Sequence, residues 1–456
     1  MNRRVVYQTT GGALIDAKSG ATLTGVSPDS FKKARVNNAL RRAIEAALGA
    51  LTLANPDPQK RVDAAEAVFK TRDAKALPAL KAQLAKESDP RAAAALRQAL
   101  AAIVALDDST AAPDRVAAIA ELQPRGDEDA ESLIGEIAAK AKDPAVQRAA
   151  TAALSSIKTR LALWSVAQNL WYGVSASSVL LLAAIGLAIT FGVMGVINMT
   201  HGEMVMLGAY ATFVVQSVLP PSLSEWSLAI ALPVAFLVSA GVGVALERAV
   251  IQFLYGRPLE TLLATWGVSL ILQQAVRSVF GANNRQVHAP KFMSGAFDLG
   301  GLSITSGRLW IIALAILAFV ALQLALRATS FGLRMRAVTQ NRRMAAAMGI
   351  STGRIDMLAF ALGSGIAGVA LSQIDNVSPN LGQGYIIDSF MVVVLGGVGN
   401  LWGTLLGAAT LGVANKLLEP MTGAALGKIL LLVFIILFIQ KRPRGLFALK
   451  GRAVEA

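Results

Sequence analysis

Long stretches without a charged residue constrain this chain more than any other feature of its sequence. The longest covers 42 positions between Arg160 and Glu203. A helix that crosses a bilayer needs about 20 consecutive apolar residues. The first stretch supplies at least one crossing, and seven shorter uncharged runs follow it. Together they predict an all-α fold built around a polytopic membrane helix bundle, with about eight or nine membrane segments. These later runs are 204–224, 226–246, 261–276, 309–326, 357–374, 389–415 and 429–440.

The distribution of charge divides the chain into two domains. Residues 1–165 contain 24 Lys and Arg and 19 Asp and Glu, whereas residues 166–456 contain 19 and 10. We therefore expect a soluble N-terminal domain at 1–165 and a transmembrane domain at 166–456. In the second domain the basic residues stand at the ends of apolar runs, which is typical of topology signals rather than of a phosphate-binding face. This placement argues against a nucleic-acid partner.

The N-terminal domain is predicted to begin with short strands and to continue as helices. Val5-Val6-Tyr7 and Leu14-Ile15 flank Gly11-Gly12, a pattern that predicts a hairpin. Strong helix formers dominate from about Asn37 to Arg160. Three Asp-Pro pairs each combine a capping Asp with a Pro suited to the first helical position. These pairs are Asp57-Pro58, Asp89-Pro90 and Asp143-Pro144.

Apolar residues at helical spacing follow these helix starts, as at Leu96, Leu100, Ile103 and Val104. The pattern resembles HEAT-like helical pairs, in which each pair buries a face against its neighbour. An irregular helical bundle is the alternative. The region contains no histidine, and its carboxylates alternate with Lys and Arg as on a solvated helix face. We interpret the domain as a docking or scaffolding module.

Positive charge in the connections predicts the orientation of the bundle. The connection 327–354 has six Arg and no acid, so it and the basic C-terminal tail are expected in the cytoplasm. Three apolar runs lie between these two flanks, although an even number of crossings is required. Glycines interrupt the 389–415 run, which predicts two half-helices or a re-entrant turn. Counting backwards places residues 1–165 outside, in the periplasm, although no cleavable signal follows Met1.

Two groups of polar residues lie beside or between the apolar runs, where polar groups are costly and therefore informative. The first lies at the end of the 42-residue run and is either part of a substrate pathway or a polar turn that caps a helix. The second lines an outer vestibule or forms a solvated loop. We find no catalytic or metal-binding spacing in either group. The candidates are Asn198, Thr200, His201 and Glu203 in the first group, and Gln373, Asp375, Asn376 and Asp388 in the second.

The chain has no sequence motif for an energy source of its own. The nearest approach to a phosphate loop, Gly423-Ala-Ala-Leu-Gly-Lys428, is one residue short, lacks the following Ser or Thr, and follows no strand. We therefore expect no nucleotide hydrolysis and no cofactor in this chain. Ion coupling would require more buried carboxylates than the predicted spans contain.

Three segments resemble permeases of the branched-chain amino acid ABC importer family. They are 186–210 (GLAITFGVMGVINMTHGEMVMLGAY), 332–350, which begins GLRMRAVTQN, and 394–400 (VLGGVGN) followed by Gly403 and Gly407. The resemblance covers about 170–447. A helical N-terminal domain with Val36-Asn-Asn-Ala-Leu-Arg-Arg42 near its start is similar to the N-terminally extended urea-transporting members of the family.

This resemblance implies a multi-pass permease of the bacterial inner membrane that imports urea. A second permease, two ATPases that use ATP, and an extracytoplasmic binding protein would be its partners. The 334–350 loop would receive the ATPase stroke, although its arginines could instead serve only to fix topology. The coupling candidates are Arg334, Arg336, Arg342, Ala346 and Gly349.

Three other functions remain open at this stage. A branched-chain amino acid or short-chain amide could be the solute of the same kind of permease. An ATP-independent channel or ion-coupled carrier is a second possibility. The third is an intramembrane enzyme that uses His201 and Glu203.

Overall fold

A computed structural model describes three short strands near the N-terminus and residues 52–363, 366–373 and 376–447. The chain divides into two compact units, Met1–Ala162 and Leu163–Ala456. Helices form most of both units, which confirms the predicted all-α class. The candidate residue Asp375 lies outside the described residues.

The first unit begins with a small antiparallel sheet and continues as helices. Strands β1 (Val6–Gln8), β2 (Leu14–Asp16) and β3 (Thr22–Leu23) pair in that order, with Tyr7 opposite Ile15. The β1–β2 pair is the predicted hairpin. The helices of this unit are α1 (Pro58–Thr71), α2 (Leu77–Leu84), α3 (Pro90–Leu106), α4 (Ala112–Leu122) and α5 (Glu128–Lys140), with a 3-10 turn at Ala74–Ala76.

The predicted Asp-Pro helix starts are present. Asp57 and Asp89 cap α1 and α3 by accepting backbone N–H groups within their first turns, and Pro follows each cap. Leu96 and Ile103 of α3 are buried in one core with apolar residues of α1, α4 and α5. The helices therefore bury an apolar stripe in the way that the spacing predicts. Whether they form HEAT-like repeats stays a prediction.

An ion pair ties α1 to the loop before α3. The Arg61 guanidinium donates to both carboxylate oxygens of Glu87 at 2.7 Å, and it also donates to the carbonyls of Asn55 and Pro56. The Glu87 side chain is almost completely buried. The Arg61 hydrogen bonds lower the pKa of Glu87 to about 2, because they stabilise the charged carboxylate.

The second unit is a helical bundle with one small hairpin. The 51-residue helix α6 (Pro144–Met194) begins in the first unit and continues into the second. The hairpin is β4 (Ala296–Leu299) paired with β5 (Leu302–Thr305). The helices that follow α6 are α7 (His201–Val218), α8 (Ser227–Ala249), α9 (Pro258–Phe280), α10 (Ser306–Ala328), α11 (Ser330–Gln340), α12 (Arg342–Ala347), α13 (Thr352–Gly363), α14 (Ile366–Ser372), α15 (Leu381–Gly396), α16 (Leu401–Thr422) and α17 (Ala424–Lys441).

Five helical segments of the described chain are long and apolar enough to cross a membrane, or six if one bent pair counts as a single span. The sequence predicts about eight or nine segments from the uncharged runs. The difference arises at α7, α9 and the bent pair. Helix α7 begins with His201 and Glu203, and α9 carries a row of polar side chains, so each is less apolar than an uncharged run suggests.

The bent pair is the interruption that the glycines of the 389–415 run predict. The chain bends by 120° between helices α15 and α16, across a break of four residues. Asn400 caps α16 by accepting from the N–H groups of Trp402 and Gly403, and Gly397 and Gly399 adopt positive φ within the break. The backbone of Gly396 also contacts Gly403 so closely that a side chain on either would collide with the other. Glycine is therefore required at this turn.

Candidate functional site

The first polar group lies in the turn between α6 and α7. Gly195 has φ +69° and ends α6, and α7 begins six residues later at His201. The side-chain oxygen of Asn198 accepts from the Thr200 hydroxyl and, at 3.0 Å, from the Thr200 N–H. This part of the group is a polar turn ahead of a helix. The Asn198 amide nitrogen is buried and has no hydrogen-bond partner among the described residues.

Glu203 is the buried acid of this group, with 1% of its surface exposed. Its Oε1 accepts from the Ser269 hydroxyl and from the Gln273 amide, both at 2.8 Å. Its Oε2 is buried and accepts no hydrogen bond within the described chain. A buried carboxylate without its full set of donors is costly, and such groups inside membrane domains mark functional sites.

His201 faces a different neighbour. Its Nε2 lies 2.8 Å from the carbonyl oxygen of Ala183 in α6, and because a carbonyl only accepts, the ring nitrogen is the donor. His201 is buried against α6, whereas the Glu203 side chain bonds to α9. The two residues are therefore adjacent along the chain without forming one chemical pair.

Helix α9 contributes polar groups that the sequence analysis did not include. Thr261, Thr265, Ser269 and Gln273 are buried along one face, and the Thr265 hydroxyl accepts from the Met199 N–H at 3.2 Å. Their spacing of four residues was the available signal, because residues four apart share a helix face. An uncharged run with such a row is half apolar and half polar. Thr265 on this polar face contacts the turn before α7, and Ser269 and Gln273 contact Glu203 in the first turn of α7.

The second predicted group does not come together around Asp388. Gln373 is half-buried and its amide donates to the Ser372 hydroxyl at 3.3 Å, while Asn376 is exposed. The Asp388 carboxylate instead accepts from Lys428 of α17 at 2.9 Å. Asp388 is half-way along α15. Its partner Lys428 enters the sequence analysis only as the last residue of the segment nearest to a phosphate loop.

A cavity of about 340 Å³ surrounds the Asp388–Lys428 pair. Its lining residues come from α6, α10, α15, α16 and α17, all within the second unit. Arg308, at the first turn of α10, reaches into the lining and donates to the Ser175 hydroxyl at 3.2 Å. A cavity of this size lies within the common range of about 300–1,000 Å³ for small-molecule sites.

The connection between α10 and α13 contains the predicted coupling residues. Arg334, Ala346 and Gly349 are exposed, and Arg336 donates to the Leu326 carbonyl at 2.6 Å. Arg342 instead points into the protein and forms a bidentate ion pair with Asp356 of α13, in which Nη1 lies 3.2 Å from Oδ1. The sequence analysis placed Arg342 among residues facing a partner, and the structure shows it bound within the chain.

Tyr255 completes the surroundings of Arg342. The guanidinium carbon lies 4.5 Å from the centre of the Tyr255 ring, and the Tyr255 hydroxyl donates to Glu247 of α8 at 3.3 Å. Burial, together with the nearby Asp356 and Glu247 carboxylates, raises the pKa of Tyr255 above its usual range. Tyr255 is therefore a neutral donor, and the group joins α8, α12 and α13.

Comparisons with known proteins agree on one family. The family described as branched-chain amino acid transport system / permease component matches residues 169–439. The high-affinity branched-chain amino acid transport system permease protein LivH of Escherichia coli K12 is 30% identical over an alignment of 292 positions, which covers 61% of this chain and 94% of that protein. BraD of Pseudomonas aeruginosa, which carries the same description, is 29% identical over 293 residues, with the same coverage.

A more distant similarity links the chain to the ribose import permease protein RbsC of Bacillus subtilis. The two are 34% identical over 111 residues, which are 22% of this chain and 34% of that protein. No solved structure matches the chain. The family match begins at residue 169, so the whole of the first unit lies outside it.

Proposed function

Because the chain belongs to the branched-chain amino acid transport permease family, we propose that it is the permease subunit of an ATP-driven importer in the bacterial inner membrane. The family match over 169–439 carries this proposal. As a member of this family the chain is a transport component and not an enzyme. The ATP is used by separate ATPase subunits, and an extracytoplasmic binding protein delivers the solute to this chain and a second permease.

The exposed surface of the α10–α13 connection supports the ATPase part of the proposal. Leu333, Met344 and Met348 are large apolar residues, and each is at least 60% exposed on this connection. Several large apolar residues that are exposed on a connection between spans are the kind of surface that a protein partner covers. Arg334, Ala346 and Gly349 lie on the same connection, so we propose that this segment seats in an ATPase subunit.

The buried polar groups at the start of α7 support a solute pathway. The Asn198 amide nitrogen and the Oε2 atom of Glu203 are a donor and an acceptor without a hydrogen-bond partner in the described part of the chain. A solute that passes between packed membrane helices exchanges its water for such groups. We propose that the turn before α7 and the polar face of α9 border the pathway.

Two solutes are candidates, each favoured by a different observation. The names of LivH and BraD, both branched-chain amino acid permeases, favour a branched-chain amino acid, and this is the solute that the comparisons support better. Urea is favoured by the resemblance of the helical N-terminal domain to the N-terminally extended urea-transporting members. LivH is 94% covered and accounts for only 61% of this chain, so it does not account for that domain. Urea also carries the N–H donors and the carbonyl acceptor that complement Glu203 and Asn198.

Uptake in cells tests the proposal and separates the two solutes. Labelled leucine and labelled urea, each at micromolar concentration, are offered to cells with and without this gene, with the other unlabelled solute in excess. Loss of saturable uptake of one solute on deletion identifies it. Uptake that is lost on deletion but persists when the ATPase subunits are removed would support a channel or carrier and contradict the proposal.

A substitution at the connection tests the ATPase contact. Met348→Glu places a charge on the exposed patch, and we expect it to abolish uptake while the chain still reaches the membrane. Met421→Glu is the matched control, because Met421 is also highly exposed but lies at the end of α16. Equal uptake by the two variants would contradict the proposed contact.

A further inference from the structure

We propose that the cavity around Asp388 is a binding site for a small solute that carries N–H donors and an acceptor oxygen. The proposal rests on the proposed transport function and names the place where the transported solute binds. The cavity lies between α6, α10, α15, α16 and α17 and is separate from the polar turn before α7. Four observations support it. They are the Asp388–Lys428 ion pair, Arg308 without an ion-pair partner among the described residues, the Asn415 side-chain oxygen without a hydrogen-bond donor there, and the apolar residues of the lining.

The charge pair is the first observation. Asp388 and Lys428 lie on different helices, and their ion pair measures 2.9 Å. The Asp388 side chain is 14% exposed, so it is largely withdrawn from solvent. An acid in an otherwise apolar membrane helix is costly to maintain and points to a functional role. Because Lys428 is half exposed, it can move aside when a ligand donates to Asp388.

Arg308 is the second observation. It donates to the Ser175 hydroxyl, and its guanidinium lies 4.7 Å from the centre of the Tyr172 ring. Within the described residues no carboxylate lies within ion-pair distance of Arg308, although most buried or half-buried arginines of the chain have one. A fixed guanidinium with N–H groups to spare is a site for a carbonyl or carboxylate oxygen.

Asn415 and the apolar walls complete the site. The side-chain oxygen of Asn415 is buried and accepts no hydrogen bond from the described part of the chain, so it can accept from a ligand. The rest of the lining includes Ser175, Tyr385 and Lys416, the last of which pairs with Glu419. Its other residues are mostly apolar and buried, and they would enclose a hydrocarbon side chain. They include Val179, Leu180, Met391, Leu411 and Leu431.

These groups define the ligand by its chemistry. An acceptor oxygen bonds to Arg308, and N–H groups of the same molecule bond to Asp388 and Asn415. Both leucine and urea have this combination, leucine through its carboxylate and ammonium and urea through its carbonyl and amides. Leucine in addition places an aliphatic side chain on the apolar walls, whereas urea leaves room beside them for water.

Protection of a single introduced cysteine tests the site. The chain contains no cysteine, so Ala176→Cys places the only thiol of this chain on the cavity wall. The complete importer in lipid nanodiscs is treated with a small thiol reagent, with leucine, urea or sucrose present. At a ligand concentration of about ten times its dissociation constant, about one site in eleven is unoccupied, so the ligand slows labelling about tenfold. Met421→Cys is the control, and its labelling stays unchanged.

The ligand-binding groups are tested in the same Ala176→Cys background. We expect Arg308→Met and Asp388→Asn each to abolish protection, and Arg308→Lys to restore part of it because the charge is retained. Arg327→Met is the matched control at the opposite end of α10 and keeps full protection. Protection that persists in both Arg308→Met and Asp388→Asn would overturn the site as assigned.

The outcomes separate this inference from the transport function. Protection by leucine alone or by urea alone supports the site and identifies the source of the ligand chemistry. Unchanged labelling with both solutes overturns the site, even where the same complex transports with ATP. Protection in a complex that shows no ATP-dependent transport would instead overturn the proposed function and retain the site.

Discussion

The ion pair between Arg342 and Asp356 gives the sharpest prediction about the architecture of the second unit. Arg342→Ala removes both guanidinium donors of Asp356, whose side chain is 0% exposed, and leaves the buried carboxylate without its ion-pair partner. Removing one partner of a buried ion pair costs about 3–5 kcal/mol. The Arg342 side chain is 37% exposed, so water replaces part of the interaction, and we expect the lower end, about 3 kcal/mol.

Thermal unfolding of the purified chain in detergent measures this effect. A unit larger than about 250 residues shifts by about 2 °C or slightly less per kcal/mol, so the loss corresponds to a midpoint about 5 °C lower. Arg343→Ala is the matched control, since Arg343 is the next residue of α12 and is exposed. Surface substitutions of this kind change stability by about 0.5 kcal/mol or less, so its midpoint stays close to that of the native sequence.

A double substitution shows whether the lost charge balance is the cause. Arg342→Met combined with Asp356→Leu replaces both charged groups by apolar ones, a change that is often neutral for a buried pair. We therefore expect the double variant to regain most of the decrease in thermal midpoint that Arg342→Ala causes. Equal midpoints for Arg342→Ala and Arg343→Ala would refute the reasoning, because Asp356 would then not depend on Arg342.

Three further predictions concern other parts of the chain. Gln273→Leu removes one of the two donors to Glu203 and should lower the free energy of unfolding of the second unit by about 1–3 kcal/mol. The control Gln274→Leu, at an exposed neighbouring position, should leave it unchanged, and equal thermal midpoints of the two variants would contradict this. Gly186→Ala would place a methyl group 1.7 Å from the Gly363 carbonyl oxygen, so we expect a loss of at least about 1–3 kcal/mol from overpacking. Gly241→Ala, where nothing lies within 4 Å, is its control in the same melting assay. In the first unit the pKa of Glu87 falls from 4.5 to about 2, so the stability it contributes is present above pH 4.5 and is lost as the pH falls towards 2. Pepsin digestion between these pH values should therefore accelerate more steeply in the native chain than in Glu87→Gln, while Glu128→Gln behaves as the native chain does.

The elements that local sequence determines were predictable. Asp57-Pro58 and Asp89-Pro90 begin helices because capping and the fixed φ of Pro act within a few residues. The break between α15 and α16 was predictable for the same reason, since Gly397 and Gly399 adopt backbone conformations that favour glycine. The number of membrane-crossing helices was less predictable, because an uncharged run can still carry a polar face.

The groupings that depend on tertiary packing were not predictable. Asp388 was expected beside Gln373 because both lie in one polar stretch, but the packing of α17 places Lys428 against it. Arg342 was expected to face a partner because the family resemblance implies that its loop receives the ATPase stroke, yet a buried acid 14 residues away binds it. Ser269 and Gln273 could have been found from their four-residue spacing, but not their contact with Glu203.

ATP-dependent accumulation by the reconstituted importer tests the central claim most directly. Proteoliposomes contain this chain, its partner permease and the ATPases, with the binding protein on the delivery side, and they are given labelled leucine or urea. We predict accumulation against a gradient of one solute that requires hydrolysable ATP and disappears when this chain is omitted. Uptake that only equilibrates the solute, and is the same with a non-hydrolysable ATP analogue, would contradict the assignment of this chain to an ATP-driven importer.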